Sequence, residues 1–111
     1  MSFEKETKNG VTIIRINQER FDSNIAPELK TELLFLVEQG IKNILIDLSN
    51  VIYVDSSGLG ALLFGLRQLR EIKGKLKLLG ANNRITNLIR IAKLEHVLMN
   101  YKNEKNALES Y

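Results

Sequence analysis

Ile44-Leu45-Ile46 constrains this chain most: three consecutive apolar residues, two of them β-branched, set between polar neighbours in the stretch 41–48. A strand with one wet face would alternate apolar and polar residues, whereas an unbroken short run reads as a strand buried on both faces, as in a parallel sheet. The segment before it is helical, since Ile25, Leu29, Leu33, Leu36 and Val37 recur at the spacing of one buried helix face. Ser23 or Asn24 can cap that helix, Pro27 suits its first turn and Gly40 its end. Ahead of it, residues 3–8 and 11–17 form two extended runs on either side of Asn9-Gly10, a pair favoured in type I′ turns because both central residues need positive φ. A hairpin should therefore open the chain, and the helix between two strands should be a crossover.

The pattern continues beyond the central strand. Residues 51–54 are mostly apolar and lead through Asp55-Ser56-Ser57-Gly58 into a helical repeat of Leu59, Leu62, Leu63, Leu66 and Leu69 that runs as far as Gly74. Lys75-Leu76-Lys77-Leu78-Leu79 alternates, with Leu76 and Leu78 on one side, and should be another strand. Asn82 or Asn83 can cap a third helix with Ile85, Leu88, Ile89 and Ala92 facing inward, after which Val97-Leu98-Met99 suggests a weak strand and Asn103 the start of a short last helix. The expected order is ββαβαβα with a weak strand and helix at the end. This is an α/β fold over residues 1–111 as one domain, a mixed sheet of four to five strands with helices packed on it.

Composition limits what such a domain can do. The 111 residues contain no cysteine and one histidine, His96, so disulfides, thiolate metal sites and zinc sites built on several imidazoles are excluded. No cofactor is expected. The net charge of +3 is mild, and Arg67, Arg70 and Lys73, or Arg84, Arg90 and Lys93, read better as solvated helix faces than as a nucleic-acid surface, because no aromatic residues interleave with them. His96 beside Glu95 reads as a surface or half-buried residue, and Tyr53, Tyr101 and Tyr111 form no stacking platform that spacing reveals. The charged start Phe3-Glu4-Lys5-Glu6 is unlike a signal peptide, and no apolar stretch approaches the ~20 residues of a membrane span, so a cytoplasmic protein without membrane or direct nucleic-acid contacts is expected.

Asp55-Ser56-Ser57-Gly58 is the one constellation with chemical content. It places a carboxylate and two hydroxyls at the first turn of a helix, where backbone amides lack partners and an anion such as a phosphorylated serine gains from the helix dipole. Gly58 and Gly60 keep that turn low, so a partner surface or a nucleotide phosphate can come close. The same residues also fit a plain N-cap by Asp55 or Ser56, with the glycines serving helix packing, and on the four residues alone the cap is the commoner case.

Val54-Asp55-Ser56-Ser57-Gly58-Leu59-Gly60, preceded by Ile44-Leu45-Ile46-Asp47-Leu48-Ser49-Asn50-Val51, resembles the STAS domain of bacterial anti-sigma factor antagonists. The likeness extends to Phe21-Asp22, to Lys75-Leu76-Lys77-Leu78 and to the helix from Ile85 with its trailing strand, which is nearly the whole chain. It implies that Ser56 is phosphorylated, with Ser57 as the alternative, and that Asp22 and Asp55 shape a partner-binding surface to which Asn24, Ser56, Ser57, Gly58 and Leu59 belong. It further implies that the unphosphorylated form binds a serine kinase that is itself an anti-sigma factor and so frees a sigma factor. Phosphorylation ends the interaction and a PP2C-like phosphatase restores it. Many relatives carry a glycine and an acidic residue just ahead of the aspartate, where this chain has Asn17-Gln18-Glu19-Arg20-Phe21-Asp22. Arg20 could alter which kinase is recognised, although a solvated side chain is the simpler reading.

Two other functions fit less well. An enzyme using Ser56 with Asp55 and Asp22 lacks a histidine or lysine placed as general base and a P-loop lysine. A STAS scaffold in a stress-signalling complex, or a regulatory subunit of a lipid-transport ATPase, would keep the fold without a phosphorylation cycle; the intact serine motif favours the switch.

Overall fold

A computed structural model describes residues 2–111. Strands β1 (Phe3–Lys8) and β2 (Val11–Ile16) form the opening hairpin, and Asn9 and Gly10 take φ of 53° and 78°, the two positive values a type I′ turn demands. After the two-residue strand β3 (Arg20–Phe21) come α1 (Ala26–Glu38), β4 (Asn43–Asp47), β5 (Tyr53–Val54), α2 (Ser56–Glu71), β6 (Lys75–Leu79), α3 (Asn83–Ile91), β7 (Asn100–Tyr101) and α4 (Glu104–Glu109). The main sheet has the order β1-β2-β4-β6-β7; β1 is antiparallel to β2 and every other pair is parallel. The expected mixed α/β sheet is what forms, with five strands.

Side-chain alternation divides the core in two. Ile14, Ile16, Ile44, Ile46, Leu76 and Leu78 point to one face and pack beneath α1, α2 and α3, where Leu29, Leu33, Leu62 and Leu69 are fully buried. Val11, Ile13, Leu45 and Leu79 point to the other face and are covered by Ala107 and Leu108 of α4 with Tyr101 and Tyr111. Burying Ile44-Leu45-Ile46 on both faces removes each of these side chains from water, worth roughly 1.5–3 kcal/mol apiece. The small helix α4 is held by polar ties as well: Glu104 accepts from Lys8 at 2.9 Å and pairs with Arg15 at 2.9 Å, and Lys77 donates to the Ser110 carbonyl at 2.7 Å. The Tyr111 hydroxyl donates to the Ile44 carbonyl, and burial pushes that phenol above its ordinary range.

Several local expectations are corrected. Neither Ser23 nor Asn24 caps α1; the N-cap is Ile25, whose side chain cannot accept, and the Asp22 carbonyl instead takes the N–H groups of Ile25 at 3.1 Å and Ala26 at 2.9 Å. The end of α1 follows expectation, since Gly40 has φ of 83° and the Ile41 and Gly40 amides close back onto Leu36 and Val37. The helix α2 ends at Glu71 rather than running as far as Gly74, and Lys73 after it is left-handed, at φ 60°. Gly74 is needed for space, because a Cβ there would meet the Lys42 carbonyl oxygen. Ala92 is the exposed C-cap of α3 and does not face inward. The weak strand lies at Asn100–Tyr101, not at residues 97–99, where Leu98 is buried without a ladder partner of its own. The β3–β5 pair is a separate parallel ribbon that the periodicity did not reveal.

Candidate functional site

The site is built where β5 runs into α2. Asp55 is extended (φ −96°, ψ −173°), and its Oδ1 accepts the Gly58 N–H at 2.9 Å, so Asp55 is the N-cap and Ser56 and Ser57 are the first two helical residues. The amides of a helix's first turn have no partner within the helix. Asp55 satisfies one of them and leaves those of Ser56 and Ser57 at the positive end of the α2 dipole. Ser56 is exposed and Ser57 half-buried.

This turn is pinned from below. The Asp55 N–H donates to the Phe21 carbonyl at 3.3 Å, and Gly58 is buried against the same peptide. A Cβ on Gly58 would run into the Phe21 carbonyl oxygen and lie 3.0 Å from Val54 Cγ1. Gly60 has nothing within 4 Å of where its Cβ would stand. Gly58 thus allows the close approach of α2 to the β3 ribbon, whereas Gly60 leaves space open. That space is a cleft of ≈ 240 Å³ between the starts of α1 and α2, lined by Ser23, Ala26, Pro27, Lys30, Ser56, Ser57 and Gly60.

The expected partner-facing residues divide between two neighbouring clefts. Asp22 and Asn24 line a second one of ≈ 390 Å³, with Glu19 and Arg20, and not the cleft of the serines. The Asp22 carboxylate is engaged locally, accepting the Asn24 N–H at 3.0 Å and lying 3.4 Å from Arg20 Nε. Its loop still reaches the serine turn through Phe21 and Ser23. Leu59 is half-buried and packs on the large core. Sequence reading missed Lys30, among the described residues the one cation lining the serine cleft, which lies 6.0 Å from the Phe64 ring centroid. On α1 it looks like any exposed lysine; only the packing of α1 against α2 gives it a place. Among the described residues no cluster of acidic and imidazole side chains is assembled that could hold a metal ion, and no helix is long and apolar enough to cross a membrane.

A mixed five-stranded sheet with helices on its main face carries an exposed serine and a half-buried one at the start of its second helix. Residues 2–107 match the STAS domain model, and the chain belongs to the STAS domain family. Among its relatives is the anti-sigma-B factor antagonist of Staphylococcus aureus, 30% identical over 98 residues that span 88% of this chain and 90% of that protein. The fold is similar to that of an anti-sigma-factor antagonist (STAS) domain protein from Planctomyces limnophilus, with a TM-score of 0.86 at 20% identity over 97% of this chain and 96% of that one. It is similar also to the phosphorylated form of the Bacillus cell fate determinant SpoIIAA, with a TM-score of 0.79 at 21% identity over 97% of each chain.

Proposed function

We propose that the protein is an anti-sigma factor antagonist that works by partner switching: unphosphorylated, it binds an anti-sigma factor serine kinase and releases a sigma factor; phosphorylated on Ser56, it lets the kinase go. The observation that carries this reading is Ser56 itself, an exposed hydroxyl at the first position of α2 beside an open cleft. The chain's similarity to the staphylococcal anti-sigma-B factor antagonist over 88% of its length supports an anti-sigma factor as the partner. The protein is a substrate and a binding surface, not a catalyst. It acts in the cytoplasm, and a PP2C-like phosphatase resets it.

Electrostatics supports a switch at the interface rather than in the fold. A phosphate adds about −1.5 to −2 charge, and at a helix start that charge is stabilised by the dipole and the free amides. Lys30 lines the same cleft and supplies a nearby positive charge. The phosphorylated domain should therefore stay folded. A partner surface fitted to a serine hydroxyl offers a dianion neither room nor counter-charge, a mismatch that costs several kcal/mol. Ser56 is favoured over Ser57 because it is the more exposed of the two.

The test is to incubate the protein with ATP and the kinase-type anti-sigma factor of the same genome, then to locate phosphate by tandem mass spectrometry. One phosphate on Ser56, abolished in Ser56→Ala, is the expected result. Phosphate on Ser57 alone would move the switch, and stable binding with no phosphate at all would refute it in favour of a scaffold.

A further inference from the structure

Tyr53 stands two residues ahead of the α2 cap, where the β3–β5 ribbon meets α3. Its ring centroid lies 5.1 Å from the Arg20 guanidinium carbon and 5.2 Å from that of Arg84. Stacking of this kind holds a planar cation in place while leaving its N–H edge free to donate. The corner is braced by Asn82, which accepts the Ile85 N–H at 2.9 Å and donates to the Ile52 carbonyl at 3.1 Å. Around it lies apolar surface: Ile52 is 51% and Ile91 80% exposed, and the half-buried Leu88 of α3 lines a cleft with Tyr53 and Ile91.

The charge of this corner is one-sided. Glu19 lines the Tyr53 cleft and Asp22 matches Arg20, but Arg84 has no ion pair among the described residues. From residue 83 to residue 94 the chain carries Arg84, Arg90 and Lys93 and no carboxylate. Apolar side chains this exposed, set among fixed cations, fit a partner that brings both apolar groups and carboxylates.

We propose that Arg84, Tyr53, Ile52 and Ile91 form a second docking surface, for an acidic amphipathic segment of the anti-sigma factor. This inference rests on the antagonist reading above. The apolar side chains of the segment cover Ile52 and Ile91 while its carboxylates meet Arg84 and the free edge of Arg20. A nucleic-acid backbone would satisfy the arginines and leave the isoleucines in water, which favours a protein occupant.

The experiment titrates the purified anti-sigma kinase into wild type, Arg84→Glu, Ile91→Ser and Ser56→Asp by calorimetry at low and high salt, with a labelled DNA duplex as a second probe. Thermal melts show that each variant is folded, which is expected because both altered side chains on α3 lie at the surface. Arg84→Glu should weaken kinase binding at least about ten-fold and flatten its salt dependence, and Ile91→Ser should weaken it several-fold. If both bind as wild type does while Ser56→Asp does not bind, the docking surface is overturned and the antagonist reading stands. Failure of wild type to bind overturns both. An Arg84→Glu defect confined to the duplex assigns the cations to nucleic acid and likewise overturns the proposal.

Discussion

Gly58→Ala puts a methyl group where a backbone oxygen already stands. The obstructing atom is the Phe21 carbonyl, which cannot rotate aside as a side chain would, and Val54 Cγ1 and Phe21 Cγ crowd the same point at 3.0 and 3.1 Å. Forcing an extra carbon into a packed contact costs about 1–3 kcal/mol, more where backbone must shift. Alanine's better helix propensity returns at most about 1 kcal/mol, and less in a first turn. Because the obstruction is backbone the cost lies in the upper part of that range, so the net loss is about 1–2 kcal/mol, or a fall in Tm of roughly 4–8 °C for a domain of this size. Gly60→Ala, two residues on, provides the control. Nothing lies within 4 Å of its Cβ, so stability should rise by up to about 1 kcal/mol. That methyl group does enter the cleft beside Ser56, so binding of the anti-sigma kinase should weaken while the melt improves. Urea and thermal unfolding of the two variants beside wild type, followed by circular dichroism, decide the matter. A Gly58→Ala protein that melts with or above wild type would show that α2 does not depend on close approach to the β3 ribbon.

Other variants test separate parts of the structure. Asp55→Ala removes the bond to the Gly58 amide and should lower stability by about 1 kcal/mol, read as a shift of urea midpoint at constant slope. Lys73→Gly relieves a left-handed residue at φ 60° after α2 and should raise Tm, by up to about 1 kcal/mol in stability. Glu104 is held below the ordinary carboxylate range, chiefly by the hydrogen bond from Lys8 and then by that from Arg15. Its folded form therefore binds a proton more weakly than the unfolded chain does. The stability this contributes is complete above the unfolded value near ~4.3 and is lost as pH falls through the lower folded one. Melts of Glu104→Gln in acid should accordingly decline less steeply than those of wild type.

How far the sequence disclosed this structure depended on the length of each element. The helices α1 and α2 and the strand β6 were legible because each carries enough turns or alternations of apolar residues to fix a period, and β4 because its unbroken apolar run is short and bounded by polar residues. The ribbon of β3 and β5 was not, since two-residue strands have no period and are defined only by pairing Arg20 with Tyr53 and Phe21 with Val54. The cap of α1 was misread for a related reason: Ser23 and Asn24 are good capping types, but the chain turns one residue later and the Asp22 carbonyl does the work. In the site, Asp55, Ser56 and Gly58 were recognisable because local order in the chain is their geometry. The place of Lys30 beside Ser56, and the stacking of Arg20 and Arg84 on Tyr53, join residues 26 or more apart and arise only from tertiary packing.

The most direct test of the account compares, in one buffer, the affinity of the anti-sigma kinase for the unmodified protein and for the form phosphorylated on Ser56, together with the melting temperature of each. A large loss of affinity with an unchanged or slightly higher Tm is the predicted result, because the phosphate gains from the α2 N-terminus while its charge finds no place in the interface. Equal affinity for both forms would contradict the switch, and a phosphorylated form that has unfolded would contradict the claim that the switch acts at the surface.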